Sequence, residues 1–250
     1  MIKFFRKIRQ SLLSEDRTGK YLKYAFGEII LVVIGILIAL QINDWNEERK
    51  ENDTLKKAIV SVHSDMLADS LINHKELPLV KLRDAKINEL IKRAYATETN
   101  LDTLVHIMQE EFPVRWYPPS TYNINTFSNL KSTGTFDVLP TDIKRSLSSY
   151  YTTLENNQDR IEKVLDQYRN HLDDFVKQYN IIGRLYDENY NNSYMYNQTW
   201  IDIDPKDFSA RVAVLLASYR VLYNEAKEVL EMNQQNIRKI LPLLEPYLDS

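Results

Sequence analysis

Tyr24-Ala-Phe-Gly-Glu-Ile-Ile-Leu-Val-Val-Ile-Gly-Ile-Leu-Ile-Ala-Leu-Gln-Ile42 is the most apolar stretch of the 250-residue chain, and it holds a single carboxylate, Glu28. Wound as an α-helix, such a stretch rises about 28 Å, close to the hydrocarbon thickness of a bilayer. The pattern therefore predicts a transmembrane helix over 24–42. A cleaved secretory signal fits poorly, because a long segment precedes the apolar run and Leu40-Gln41-Ile42 offers no small-x-small cleavage site. The competing reading is a buried core helix of a soluble protein, and the charge distribution argues against it.

Residues 1–23 carry Lys3, Arg6, Lys7, Arg9, Arg17, Lys20 and Lys23 against Glu15 and Asp16, a net of +5. The whole chain sums to −3, so the remaining 227 residues sum to −8. Lys and Arg set membrane orientation, which places the N-terminus in the cytoplasm and residues 43–250 across the membrane. A basic segment beside a bilayer draws anionic lipid, so membrane lipid is the expected partner and nucleic acid is not. Ile2, Phe4, Phe5, Ile8 and Leu12 recur at helical spacing among the cations, as in a helix lying in the headgroup layer. With no cysteine, neither a disulfide framework nor a thiolate metal site is possible.

At 100° per residue Tyr21, Glu28, Gly35, Ala39 and Asn46 share one stripe of the apolar helix, flanked by Val32. Ile30, Val33, Ile34, Leu37 and Leu40 cover the other side. Gly35 and Ala39 form a small-xxx-small pair that lets two backbones approach. The expected transmembrane seam is Glu28, Val32, Gly35 and Ala39, with Trp45 and Asn46 anchoring at the outer interface. Glu28 lies roughly 6 Å inside the cytoplasmic boundary. At that depth it reaches the headgroups, or Lys20 and Lys23, and a structural contact is a simpler role for it than ion handling.

The span from Tyr24 through Asn46-Glu47, with Phe5-Arg-Lys-Ile-Arg-Gln-Ser-Leu-Leu-Ser14 before it, resembles the start of an uncharacterised family of Bacteroidota membrane proteins. Phe127-Ser-Asn-Leu-Lys-Ser-Thr-Gly-Thr-Phe136 and Arg145-Ser-Leu-Ser-Ser-Tyr-Tyr151 are similar to later segments of that family. The resemblance is sharp over the first 50 residues or so. It implies an inner-membrane location and a helical periplasmic domain, and it carries no activity.

Beyond the span, Leu55, Ile59, Val62 and Met66 repeat as on an amphipathic helix, with no Gly or Pro to separate them from the anchor. Pro78 is expected to end or kink it. A second helix is expected over 79–96, with Leu79, Leu82, Leu90, Ile91 and Ala94 inward, and a third over 101–111 before Pro113. After the connector Pro113–Pro119, Ser120 is a candidate N-cap for a helix over 121–133, and Gly134 is its stop.

Leu154, Gln158, Ile161, Leu165, Tyr168, Leu172, Phe175 and Tyr179 step by four and three, and so do Phe208, Val212, Leu215, Tyr219, Leu222, Ala226, Val229 and Asn233. Both read as heptad seams. The connector from Gly183 to Lys206 permits an antiparallel return. Pairing Tyr179 with Phe208 sets Gln158 beside Val229 and Leu154 beside Asn233, a polar layer that can fix register. No segment alternates with period two. The fold class is therefore all-α: one transmembrane helix, then an extracytoplasmic bundle with a long antiparallel coiled-coil-like pair.

His63, His74, His106 and His171 show no metal-ligand spacing, and neither a GxSxG turn nor a Gly-rich phosphate loop occurs. No enzyme, cofactor or metal site is expected. Of sixteen tyrosines, Tyr168, Tyr179 and Tyr219 sit on the seams as core. Tyr186, Tyr190, Tyr194, Tyr196 and Trp200 cluster in the Asn-rich connector. They form a possible partner surface if exposed, and a folded-under aromatic cluster if not. Asp53-Thr54-Leu55, Asp69-Ser70-Leu71 and Asp102-Thr103-Leu104 resemble the short O-glycosylation signal of Bacteroidota periplasmic proteins.

Three functional classes fit these features. The first is a scaffold or assembly subunit, as a homo-oligomer or within a larger inner-membrane complex. The second is an ion-coupled subunit using Glu28, similar to the smaller subunit of bacterial stator motors. It departs from that pattern in having Glu rather than Asp, near the cytoplasmic end, and no peptidoglycan-binding signature. The third is a partner-dependent periplasmic ligand sensor.

Overall fold

The computed structural model describes residues 18–115, 121–181 and 193–248. Every regular element among them is helical. Six α-helices follow in order: α1 Thr18–Ala94, α2 Leu101–His106, α3 Asn125–Ser132, α4 Thr141–Gln178, α5 Tyr194–Thr199 and α6 Pro205–Leu244. A π-helical turn, Ile107–Glu111, follows α2, and 3-10 turns cover Thr135–Val138 and Glu245–Tyr247. The chain divides into two compact units, Met1–Leu55 and Lys56–Ser250.

In the first unit α1 carries the apolar stretch. It is long and apolar enough to cross a membrane, and none of its most apolar window is buried. Leu31, Val32, Ile36 and Leu37 are all more than half exposed, so both faces of this stretch are exposed.

In the second unit α1 does not end at Pro78 but runs through to Ala94, so the separate helix expected over 79–96 is part of α1. Proline removes one backbone donor and crowds the turn before it. Here Pro78 and His74, one turn back, are both exposed, so the freed carbonyl meets water rather than the core. The inward face is also corrected. Leu79 and Leu82 are exposed while Val80, Asp84 and Ile87 are buried, and Leu90 is buried as expected. Ile91 and Ala94 are partly buried against the core, as expected. One uninterrupted helix keeps the phase of Ile59, Val62 and Met66, which carries the buried seam through Asp69, Asn73, Val80, Asp84 and Ile87.

The helix ends follow local chemistry. Asn100 caps α2, its side chain accepting from the Thr103 N–H at 2.9 Å. The π turn closes with the Phe112 N–H on the Ile107 carbonyl at 2.8 Å, which brings Ile107, Met108 and Phe112 together into the core. Gly134, at φ 74°, stops α3 as expected. That helix starts at Asn125 rather than 121, and the expected cap Ser120 lies outside the described residues. Asp204 caps α6, accepting from the N–H groups of Lys206 and Asp207, with Pro205 in the first turn.

α4 and α6 are the long antiparallel pair. Tyr179 meets Phe208 edge to face at 4.8 Å, in the expected register. Farther along, Arg160 pairs with Glu225, and Asn157 lies on the Met232 sulfur at 3.9 Å. Tyr168, Tyr179 and Tyr219 are core residues. The expected polar seam residue Gln158 is exposed and bonds Glu162, whereas Asn157 is buried. A straight α-helix drifts about 20° per heptad, and the seam slips by one residue at this end. Asn233 is fully buried.

Candidate functional site

Ile59, Val62 and Met66 set α1 into the second unit by their apolar faces. The next two positions on that face, at steps of three and four, are Asp69 and Asn73. They are 0% and 1% exposed. Ordinary amphipathic packing thus carries a carboxyl and an amide into the interior, where each needs partners.

Tyr122 and Asn123, from the non-helical segment ahead of α3, supply some. The Asn123 N–H donates to Asp69 Oδ1 at 3.1 Å, and the Tyr122 hydroxyl donates to Asn73 Oδ1 beside buried Asn233 of α6. From α4, the Tyr150 hydroxyl donates to Asp69 Oδ2 at 3.3 Å. Tyr151 packs edge to face on Tyr150 and stacks on Phe127 of α3 at 4.0 Å. From α6, Gln234 Nε2 donates to Ser70 Oγ at 3.3 Å. Elements distant in sequence therefore converge on two adjacent turns of α1.

Burial dominates the electrostatics here. It pushes the Asp69 carboxyl up to about 6, opposed by the bonds from Asn123 and Tyr150 and reinforced by the nearby charge of Asp65. Tyr122 is pushed up to about 12 by burial, and Tyr150 and Tyr151 are raised further still, so all three stay neutral hydroxyls near neutral pH. Among the described residues no Lys, Arg or His lies within ion-pair distance of Asp69. Asp65 Oδ2, Asn73 Nδ2, Tyr151 Oη and Gln234 Oε1 are buried without a hydrogen-bond partner among the described residues. The arrangement can hold or release a proton.

A second polar contact lies farther along the same face. Lys227 of α6 meets Asp84 at 2.9 Å, and Asp84 also accepts from Asn88. At the end of α1 Arg93 grips both carboxylate oxygens of Glu111 at 2.6 and 2.7 Å. That fork holds Glu111 below the usual carboxylate range, and Arg93's charge and then His106 reinforce it. Tyr168 donates to the Val114 carbonyl at 2.8 Å, which satisfies backbone in the segment after the π turn.

The sequence-predicted residues fall elsewhere. Glu28, Val32, Gly35 and Ala39 are exposed on α1 of the first unit. A Cβ on Gly35 would meet nothing within 4 Å. Trp45 is exposed with the Arg49 guanidinium over its ring at 5.8 Å, and Asn46 is half-buried. Of the connector aromatics, Tyr186 and Tyr190 lie outside the described residues. Tyr194 is exposed, but Tyr196 is buried and Trp200 packs against Tyr179 and Phe208. Tyr196 and Trp200 therefore belong to the core, not to an exposed partner surface, because the cap at Ser193 winds α5 inward onto the seam. Of the three candidate glycosylation triplets, Thr54 is exposed and bonds Lys50, and Thr103 bonds the Asn100 cap. Ser70 accepts from Gln234, and its neighbour Asp69 is fully buried.

Asp69, Asn73, Tyr122 and Tyr150 escaped the pattern reading because Asp69 and Asn73 are polar, Tyr122 precedes α3, and Tyr150 lies on α4 ahead of the heptad seam that begins at Leu154. The available signal was phase: carrying Val62 and Met66 forward by three and four lands on Asp69 and Asn73. No curated protein and no solved structure matches the chain. The model of a family of unknown function (DUF6090) matches residues 28–107, a stretch that includes most of the apolar segment, Asp69, Asn73 and Asp84 and ends at the start of the π turn.

Proposed function

We propose that this is a non-enzymatic, single-pass inner-membrane protein that serves as a scaffold or assembly subunit. Its N-terminus lies in the cytoplasm and its helical domain in the periplasm. The carrying observation is the open space at Gly35: among the described residues, and outside its own helical turns, nothing lies within 4 Å of a Cβ there. Intrachain packing therefore gives no reason for the glycine, and a neighbouring transmembrane helix does. The basic residues before the span and the acidic ones after it support the orientation. A second copy of the chain or a different membrane subunit would both satisfy the seam.

The absence of cysteine makes the test direct. A short photocrosslinker is attached at Ala39→Cys on the stripe, or at Leu37→Cys on the opposite side, in native membranes. The stripe position should capture one discrete protein, identified by mass as a second copy or a partner subunit, while the opposite position captures lipid. Equal capture at both positions, or lipid alone at both, would rule the seam out.

A further inference from the structure

We propose that Asp69 is a proton-binding latch that closes the segment 121–124 onto α1. Three observations outside the proposed membrane seam carry it. Asp69 is fully buried, and its two oxygens join different elements: the Asn123 N–H on one and the Tyr150 hydroxyl on the other. Among the described residues, the groups around it and around its hydrogen-bond partners lack a positive charge. They are Asp65 on α1, Tyr122 ahead of α3, Tyr150 and Tyr151 on α4, and Asn233 and Gln234 on α6. Glu76 adds a further negative charge near Tyr122. Finally, Asn73, one turn along and 1% exposed, keeps its Nδ2 unpartnered among the described residues. A buried carboxylate with a like charge near it and no cation favours its neutral form.

The two states follow from hydrogen-bond inventory. Protonated, Asp69 still accepts the Asn123 N–H on one oxygen, and its own O–H donates to the Tyr150 phenol oxygen. The contact is preserved and no charge is buried. On ionisation the proton leaves to solvent and a carboxylate remains that still accepts from Asn123 and Tyr150, but it is buried beside Asp65 without a cation. Admitting water to that charge is the way to relieve it, and the removable wall is the short non-helical segment of Tyr122 and Asn123. The raised affinity of the carboxyl for its proton puts the transition close to neutral rather than in the acid range.

The test uses the full chain in detergent micelles at about pH 5 and about pH 8, either side of the transition. Infrared difference spectra should show the carbonyl band of a protonated carboxylic acid at the lower pH, lost at the higher. That band should be missing in Asp69→Asn, an isostere that still accepts from Asn123. Hydrogen-exchange protection of segment 121–127, corrected for intrinsic rates, should fall about tenfold over the same range in the wild type and stay flat in Asp69→Asn. Asp65→Asn, which keeps Asp69 and removes the neighbouring charge, should move the transition to lower pH. A carbonyl band that survives in Asp69→Asn, or wild-type protection that does not change with pH, overturns the proposal. If either variant fails to fold, the pH dependence of wild-type protection in segment 121–127 still decides, and protection that stays flat from about pH 5 to about pH 8 overturns the proposal.

Discussion

Asp69 shows how one residue can make stability depend on pH in an unusual direction. Its folded-state pKa is about 6, whereas an unperturbed aspartate titrates near 3.9. The folded chain therefore binds this proton more tightly than the unfolded chain. Between those two values the folded state holds more protons, so this group's contribution falls as pH rises and levels off above the folded value. Most paired carboxylates, Glu111 with Arg93 among them, run the opposite way and lose their contribution as pH falls. The comparison must therefore be a difference between two proteins. Asp69→Asn should match the wild type at about pH 4 and be more stable by about 1–2 kcal/mol at about pH 7.5, measured by urea unfolding of the full chain in micelles. A variant that is less stable at both values would show that the carboxylate is a net structural asset instead. The residue was legible only in part: its place on the seam follows from Met66, but its partner Asn123 contributes a backbone N–H, which no side-chain pattern reveals.

Among the elements, the long helices were the most legible and their polar contacts the least. The heptads of α4 and α6 placed Tyr179 against Phe208 because seam residues step by four and three through eight positions on each helix. The exchange of Gln158 for Asn157 is a drift of one residue, which strict seven-residue counting cannot see. The face of α1 beyond Pro78 was misread for a different reason. Leu79 and Leu82 look like core, while the residue that actually faces α6 is Asp84. Its Lys227 partner sits 143 positions away, so neither residue announces the other. The pair is mostly buried, with Asp84 12% and Lys227 29% exposed at the side chain, so deleting one partner strands the other. Lys227→Ala should cost about 1–3 kcal/mol, and Asp84→Asn a similar amount, while the double variant costs less than their sum. Additive losses in that cycle would mean the two side chains act independently and do not set the register of α1 on α6.

At the scale of the whole molecule, the first unit's apolar helix and the second unit's helical core make different demands on solvent. The second unit buries aromatics such as Tyr168, Phe175 and Phe208 in its core, and of its two buried carboxyls Asp84 is ion-paired and Asp69 is held by hydrogen bonds. The first leaves Leu31, Val32, Ile36 and Leu37 more than half exposed. In water such a surface would drive association, and in a bilayer it needs no protein cover at all. The excess of cations before the span and of acids after it then sets the expected direction of insertion. This is open to a direct check with a tag at each end of the chain in cells whose outer barrier has been opened. Protease added outside the inner membrane should remove the C-terminal tag and digest the domain after residue 43. The N-terminal tag should remain on a small membrane-bound fragment that holds the apolar helix. Lysing the inner membrane should then expose that tag as well. Loss of the N-terminal tag before lysis, with the C-terminal tag protected, would reverse the orientation and move the Asp69 cluster into the buffered cytoplasm, where a proton latch would meet a far smaller range of pH.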